Sequence, residues 1–359
     1  MRRAVRQFHR NSGVEPEQRR MKPKAARRAS RSLLCSGPRI PPFRIFPKSL
    51  SMIISLLLGK QIAAMLLMVL MGYAVVRLRL LKAEDSAPLA AVALYIVGPC
   101  MMLDAFQVEF SGEKLQGLFL SLVAAAISQS LAIVFNMLVR RPLRLDPVEQ
   151  ASAIYSNGGN LIIPIVIYVF GPEWVLYTSG FLIGQTALFW THCYTLLHKH
   201  GQFHLRNILF NVNILAMFAG ALLFVSGLHF PEVPRLAVHA VGSMIGPLCM
   251  IVTGMLIGSV NFRRILAYKK LPLIVALRLL VLPLLTLLVF RVSGLASCTA
   301  DGSTILLISF LAAAAPCAST VTQMAHLYGH NGEYASLINV VSTLLCVITM
   351  PVMVFLFQL

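Results

Sequence analysis

Long apolar runs follow one another along most of the chain and are separated by short polar connections. Ten runs can be counted, and each is close to the roughly 20 residues with which a helix crosses a bilayer. In chain order, as segments one to ten, they cover residues 53–76, 86–107, 115–138, 150–170, 174–197, 208–228, 236–259, 272–291, 304–326 and 334–357. The pattern predicts an all-α polytopic membrane protein with ten transmembrane helices.

Composition supports this fold class and excludes several others. The chain is 57% hydrophobic and only 12% charged, which leaves no soluble domain of useful size. Its seven cysteines show no CxxC spacing, and most fall inside apolar segments, where they are expected to be small core residues. We expect no metal site and no cofactor.

Positive charge is concentrated before the first segment. The net charge is +18, and residues 1–51 carry fourteen Lys and Arg against two Glu. Such a sequence without apolar periodicity is expected to be disordered in isolation. An arm for nucleic acid or anionic lipid, a transit peptide and a non-native extension from an upstream start codon are the alternatives. We favour the extension, so no nucleic-acid partner is expected.

The Lys and Arg residues of the short loops predict the orientation in the membrane. Twelve of them follow segments one, three, five and seven: Arg77, Arg79, Lys82, Arg140, Arg141, Arg144, Lys199, Arg206, Arg263, Arg264, Lys269 and Lys270. Only Lys114, Arg235 and Arg291 occupy the alternate connections. These counts place the first set of loops in the cytoplasm, and Met52 and Leu359 on the non-cytoplasmic side of the cell (inner) membrane.

Segment four carries residues that damage a helix. Asn157, Gly158, Gly159 and Asn160 interrupt it, and Pro164 follows. Paired glycines favour a departure from helical dihedrals, and proline lacks an N–H. Backbone groups freed at membrane depth are tolerated where they are buried in protein or line a wet cavity. The sequence therefore predicts a broken helix with a binding site at the break.

Two short similarities indicate an internal repeat. Residues 98–101 (GPCM) match residues 246–250 (GPLCM), and residues 168–171 (YVFG) match the Tyr-Gly pair at 328–329. Two halves of five helices, 52–197 and 198–359, follow from these offsets. Because an odd number of helices inverts the second half, the prediction is a pair of inverted five-helix repeats with broken crossover helices four and nine.

The second break is expected at Pro316 in segment nine, which would free a carbonyl and leave Ser319 or Thr320 to cap the following half-helix. Two half-helix N-termini would then meet near the midplane, each with unpaired N–H groups and a positive dipole end. That geometry suits a small anion. The candidate binding residues are Asn157, Gly158, Gly159, Asn160, Pro164, Pro316, Ser319 and Thr320.

Two ionisable residues in apolar segments are further candidates. Arg278 could bind a carboxylate with two hydrogen bonds, or it could snorkel or serve as a structural partner near the cytoplasmic end. Asp104 lies near the outer end of segment two and could couple transport to protons or sodium, although a solvated interfacial carboxylate is the alternative.

The stretch from Ser156 to Pro164 (SNGGNLIIP), the AAAAP ending at Pro316, and the closing residues 342–351 resemble the auxin efflux carrier family. The resemblance covers residues 52–359 and is closest to the bacterial permeases of that family. It implies ten helices in two inverted repeats, a substrate site at crossover helices four and nine, and an elevator motion. It also implies organic acids such as malate or malonate as substrates, and it is consistent with a homodimer. The family often has glycine where this chain has Ile162, so substrate identity is not transferred.

The function predicted is a secondary active transporter, a permease that moves a small organic anion. A carboxylate is the expected substrate. A cation-coupled symporter or antiporter of the same architecture, using protons or sodium, is the first alternative. A membrane sensor that binds an anion without moving it is the second. An enzyme is not expected, because the sequence contains neither HExxH nor an intramembrane acid pair.

Overall fold

The computed structural model describes residues 48–159, 161–198, 212–259 and 268–359. Several predictions concern residues outside these ranges: Asn160, nearly all of the basic first part, and the loop charges Lys199, Arg206, Arg263 and Arg264. The first helix begins at Lys48, so residues 48–51 are helical and not part of a disordered extension.

The described residues form helices joined by turns, and strand-like pairing within them is limited to one isolated bridge. The first half contains α1 Lys48–Arg77, α2 Ser86–Val92, α3 Gly98–Ala105, α4 Gly112–Val139, α5 Pro147–Ile154, α6 Ile162–Phe170, α7 Val175–Leu188 and α8 Tyr194–Leu197. The second half contains α9 Val212–Ser226, α10 Glu232–Gly242, α11 Ile245–Ser259, α12 Leu271–Ala276, α13 Leu282–Val292, α14 Gly302–Ala314, α15 Ser319–Leu327 and α16 Gly332–Gln358.

Single π-helical turns interrupt three of the segments. They lie at Ala93–Val97 between α2 and α3, at Phe189–Cys193 between α7 and α8, and at Leu277–Val281 between α12 and α13. Such turns are rare and occur often at functional sites. Nothing in the apolar periodicity of the sequence predicted them.

Within the described residues, five helical stretches are long and apolar enough to cross a membrane: Ala83–Ala105, Gly112–Val139, Glu232–Gly258, Leu271–Val292 and Gly332–Gln358. Shorter apolar helices occur at Ala63–Arg77, Val212–Ser226 and Gly302–Ala314. The all-α, multi-pass class is therefore supported. The arrangement of ten helices as an inverted repeat stays a prediction.

Side chains at the helix starts explain several boundaries. Asp146 accepts a hydrogen bond from the amide of Glu149 at 2.8 Å, and the Glu149 carboxylate accepts from the amide of Asp146 at 2.9 Å. This reciprocal pair satisfies two amides that a helix start leaves free, and it fixes the start of α5. At the start of α4 the Ser111 side chain accepts a hydrogen bond from one backbone amide, and at the start of α16 the Asn331 side chain does the same.

The helices pack as two groups. The first bundle contains α1, α2, α3, α9, α10 and α11, and the second bundle contains α4 to α8 and α12 to α16. Between the bundles, α1 and α11 pack against α6 and α16, and α3 and α9 pack against α7. The interrupted segments four and nine both belong to the second bundle.

Within the first bundle, α1 and α11 approach through glycines. A Cβ atom on Gly254 would overlap the carbonyl oxygen of Val69, and one on Gly72 would overlap that of Ile251. A Cβ atom on Gly258 would lie 2.8 Å from Cβ of Val76. The two helices are therefore in backbone contact, as small residues permit between membrane helices.

Candidate functional site

The two interrupted segments lie side by side at their breaks. Residues 155–161 separate α5 from α6, and residues 315–318 separate α14 from α15; together, without Asn160, we call them the crossover. Ser156 and Cys317 form an antiparallel bridge. The amide of Asn157 donates to the carbonyl of Pro316 at 2.8 Å, and the amide of Ala318 donates to that of Tyr155 at 3.0 Å. Each break thus satisfies backbone groups that the other leaves free.

The two prolines occupy different places at the breaks. Ala315 is extended, with φ −60° and ψ 156°, because a residue before proline avoids the helical region, and α14 ends directly before it. Pro164 instead lies in the first turn of α6, where its missing N–H is not needed. It does not interrupt a running helix, since the break lies upstream of it. Its ring meets α11, where a Cβ atom on Gly246 would lie 2.5 Å from Pro164 Cγ.

Neither of the paired glycines has a positive φ, so the backbone dihedrals of the break do not themselves require glycine. A Cβ atom on Gly158 would lie 3.1 Å from Cε1 of Phe181, which is tighter than ordinary contact. On Gly159 the nearest atom would be Cδ2 of Leu182 at 3.4 Å. A side chain at Gly158 would therefore have to displace the Phe181 ring by a few tenths of an ångström.

Arg278 joins α5 and α14, the two half-helices that precede the breaks. It lies in the π turn of segment eight and is only 2% exposed. Its guanidinium donates to four backbone carbonyls at the ends of α5 and α14: Ala153 at 3.4 Å, Ile154 at 3.2 Å, Ala315 at 2.9 Å, and Ala313. The last carbonyls of a helix lack partners and carry its negative dipole end. A single cation therefore neutralises two helix C-termini.

These contacts correspond to the structural partner among the three roles that the sequence suggested for Arg278, and not to snorkelling or carboxylate binding. The guanidinium does not snorkel to the membrane surface, because it is buried beside the crossover. Its donors are directed at the protein backbone and not into the cavity described below, so it is not placed to bind a carboxylate there.

An amide side chain from the following segment holds each bridging residue. Gln185 donates to the carbonyl of Ser156 at 2.7 Å and accepts from its hydroxyl at 2.8 Å. Asn339 donates to the carbonyl of Cys317 at 2.7 Å, while the Cys317 amide donates to the hydroxyl of Ser342 at 3.1 Å. The two breaks are thus supported in the same way from segments five and ten.

A cavity of about 310 Å³ lies between the two bundles, on the side of the crossover opposite Arg278. This volume is at the lower end of the range for small-molecule sites. Its wall in the second bundle is largely polar and comes from the crossover, α7 and α15: Ser156, Asn157, Gln185, Ser319, Thr320 and Gln323. Its wall in the first bundle is largely apolar, with Leu94, Met101, Val252 and Leu256. No charged side chain lines it among the residues that the structure describes.

The candidate binding residues therefore have different positions. Four of them line the cavity: Asn157, Gly159, Ser319 and Thr320. Gly158 and Pro316 belong to the crossover, but the cavity lining does not include them. Ser319 and Thr320 do not cap α15 from outside, since the helix begins at Ser319. Their hydroxyl groups are thus available to the cavity wall.

Asp104 is not brought to this site. Its Oδ2 lies 2.9 Å from Nδ1 of His239, so the pair joins α3 to α10 within the first bundle. The His239 side chain is 62% exposed and that of Asp104 is 27% exposed. In the described ranges, no group of three or more His, Cys, Asp or Glu side chains could hold a metal ion.

Comparison with known proteins identifies one family whose model matches most of the chain. A family model described as membrane transport protein matches residues 57–207 and 197–354. No curated protein matches the chain.

Proposed function

The chain belongs to the membrane transport protein family, and from this premise we propose that it is a secondary active transporter of a small organic anion. The resemblance to the auxin efflux carrier family is confirmed by the same match. The chain is thus a multi-pass membrane transporter, with a bilayer around it and a transported substrate. The substrate class, a carboxylate, and the elevator-type motion belong to the proposal.

The observation that carries the proposal is the position of the α6 and α15 N-termini at a cavity whose described lining residues are all uncharged. Gly159, just before α6, and the first turn of α15 both line it. The positive dipole ends of two helices favour an anion there, and the side-chain amide of Asn157 can donate a hydrogen bond to it. The apolar wall of the first bundle would contact the uncharged part of the substrate.

The packing supports an elevator motion. The crossover, its Arg278 support and its amide supports all belong to the second bundle, whereas the facing wall belongs to the first. Movement of the second bundle against the first would therefore carry the polar wall across the membrane without breaking the crossover. The proposed orientation places the loops after segments one, three, five and seven in the cytoplasm of a cell (inner) membrane.

Replacement of Asn157 tests the site. In proteoliposomes with a labelled carboxylate panel, Asn157→Ala is expected to lower the initial rate of counterflow by roughly ten- to a hundredfold. A hydrogen bond to a charged group contributes about 1.5–3 kcal/mol, which corresponds to that range. Asn136→Ala is the matched control, since its amide bonds Gln150 outside the cavity. Normal flux in Asn157→Ala would place the substrate elsewhere.

Selectivity for a single carboxylate follows from the uncharged lining. Succinamate and succinate have nearly the same size, but succinate carries a second carboxylate in place of an amide. Burying that charge without a partner costs several kcal/mol. We expect succinamate to inhibit counterflow at concentrations at least about tenfold lower than succinate. Equal inhibition by the two compounds would contradict the charge-free description of the site.

A further inference from the structure

A tyrosine and a histidine are joined directly to the crossover. Tyr155 directly follows α5 and is the first residue of the crossover, and its carbonyl accepts a hydrogen bond from the amide of Ala318 in the second break. Its hydroxyl group lies 2.8 Å from Nδ1 of His192 and 3.1 Å from the carbonyl of Leu188. The crossover backbone is thus one side chain away from an imidazole.

His192 lies in the π turn Phe189–Cys193, directly after Leu188 and the end of α7. A π turn displaces the regular helical hydrogen bonds, and the carbonyl of Leu188 accepts a side-chain bond from Tyr155. Turns of this kind occur often at functional sites. The irregular part of segment five, the π turn, is therefore the part that makes this contact.

The three groups can accommodate a proton without losing a hydrogen bond. With a neutral ring whose Nδ1 is unprotonated, the Tyr155 hydroxyl donates to His192. With a protonated ring, Nδ1–H donates to the tyrosine oxygen, and the hydroxyl turns to the Leu188 carbonyl. Histidine is the side chain that changes charge near physiological pH.

The contact also reaches the cavity wall. The ring of Tyr155 stacks on Phe189, with centroids 4.6 Å apart and planes 23° apart. Phe189 and its neighbour Trp190 line the cavity. A change in the hydrogen bonding of Tyr155 therefore affects both the crossover backbone and the cavity wall at Phe189.

The ring of His192 is half-buried, and a charged residue in its surroundings is Arg140, which directly follows α4. Among the described residues, titratable groups around the contact are Tyr155 in the crossover, Cys193, which follows His192 in the chain, and Tyr328 after α15. A bound anion would add a negative charge to this otherwise positive and neutral surrounding. It would favour the protonated ring, and by reciprocity proton binding would favour the anion.

We propose that His192 is the proton-binding site of this transporter, and that proton and anion bind cooperatively through Tyr155 and Phe189. The anion part rests on the proposed function above. The consequence is symport of one proton with one monovalent anion, which makes transport electroneutral.

A fluorescence titration tests the proton site without any substrate. The chain has two tryptophans, Trp174 and Trp190, so Trp174→Phe leaves a single reporter in the cavity wall. We expect one sigmoidal fluorescence transition between about pH 5 and pH 8 in purified full-length protein. The transition should disappear in Trp174→Phe/His192→Gln and remain in Trp174→Phe/His239→Gln.

Tyr155→Phe refines the test. A hydrogen bond from a charged donor is stronger than one from a neutral donor, so loss of the tyrosine oxygen weakens the protonated state more. The fluorescence midpoint should move to lower pH by about one unit. No transition in the parent, an unchanged transition in His192→Gln, or its loss in His239→Gln would each overturn the proposal.

Transport provides the second measurement. An inward proton gradient should stimulate succinamate uptake by the parent, and His192→Gln should lose this stimulation, whereas His239→Gln, outside the cavity, should keep it. Stimulation that persists in His192→Gln would overturn the coupling. If no carboxylate is moved, the proposed function fails, whereas the fluorescence titration still decides whether His192 binds a proton.

Discussion

Arg278→Met should prevent the transporter from keeping its folded structure in detergent. The substitution leaves four buried carbonyls without a donor, and each buried unsatisfied group costs about 1–3 kcal/mol. It also leaves two negative helix ends facing each other without a cation. The expected loss is at least about 4 kcal/mol, more than most single substitutions produce. Thermal unfolding and the monodisperse fraction in gel filtration measure it.

Arg291→Gln is the matched control for this experiment. Arg291 lies in α13, ten residues after the π turn that holds Arg278, is exposed, and donates to one carbonyl, that of Leu356. It should unfold close to the parent temperature. Arg278→Lys should fall between the two, because an ammonium group keeps the charge but cannot reach four carbonyls with a planar fork. A stable Arg278→Met protein would show that the crossover does not depend on this side chain.

Gly254→Ala should separate α1 from α11 and destabilise the first bundle. The new methyl group would occupy the position of the Val69 carbonyl oxygen, and a backbone atom cannot rotate away as a side chain can. Overpacking in a membrane core costs about 1–3 kcal/mol, and contact with backbone belongs at the upper end. Thermal unfolding in the same detergent should show the decrease.

Gly112→Ala supplies the comparison for Gly254→Ala. Gly112 is also helical, but its added Cβ atom would meet nothing within 4 Å. Alanine is preferred over glycine in a helix by roughly 0.8–1.0 kcal/mol, so this variant should be as stable as the parent or slightly more stable. Equal stability of both variants would mean that α1 and α11 are able to move apart without loss.

The sequence predicted the elements of the site better than their contacts. Glycine and asparagine in segment four and Pro316 in segment nine indicated both breaks, although only Pro316 acts through a restriction on the backbone, that of the residue before it. The role of Arg278 could not be predicted in the same way. Its acceptors are backbone carbonyls, which every residue has, so no side-chain pattern marks them.

The supports of the crossover were also missed. The sequence contained Gln185 and Asn339 as polar residues in apolar segments, which are common between membrane helices. Only the structure shows that both donate to the residues of the bridge, Ser156 and Cys317. The π turn that places His192 beside Tyr155 has no sequence signal that we can identify.

The bridge between the breaks has a consequence for biogenesis. The carbonyl of Tyr155 and the amide of Asn157 obtain their partners from Ala318 and Pro316, which are synthesised about 160 residues later. At about 5–20 residues per second, the ribosome needs roughly ten to thirty seconds to reach them. During that interval segment four is in the membrane with polar backbone groups that lipid cannot satisfy. The insertion machinery must therefore hold an incomplete helix until the ninth segment arrives, and the first half of the chain finishes folding only then.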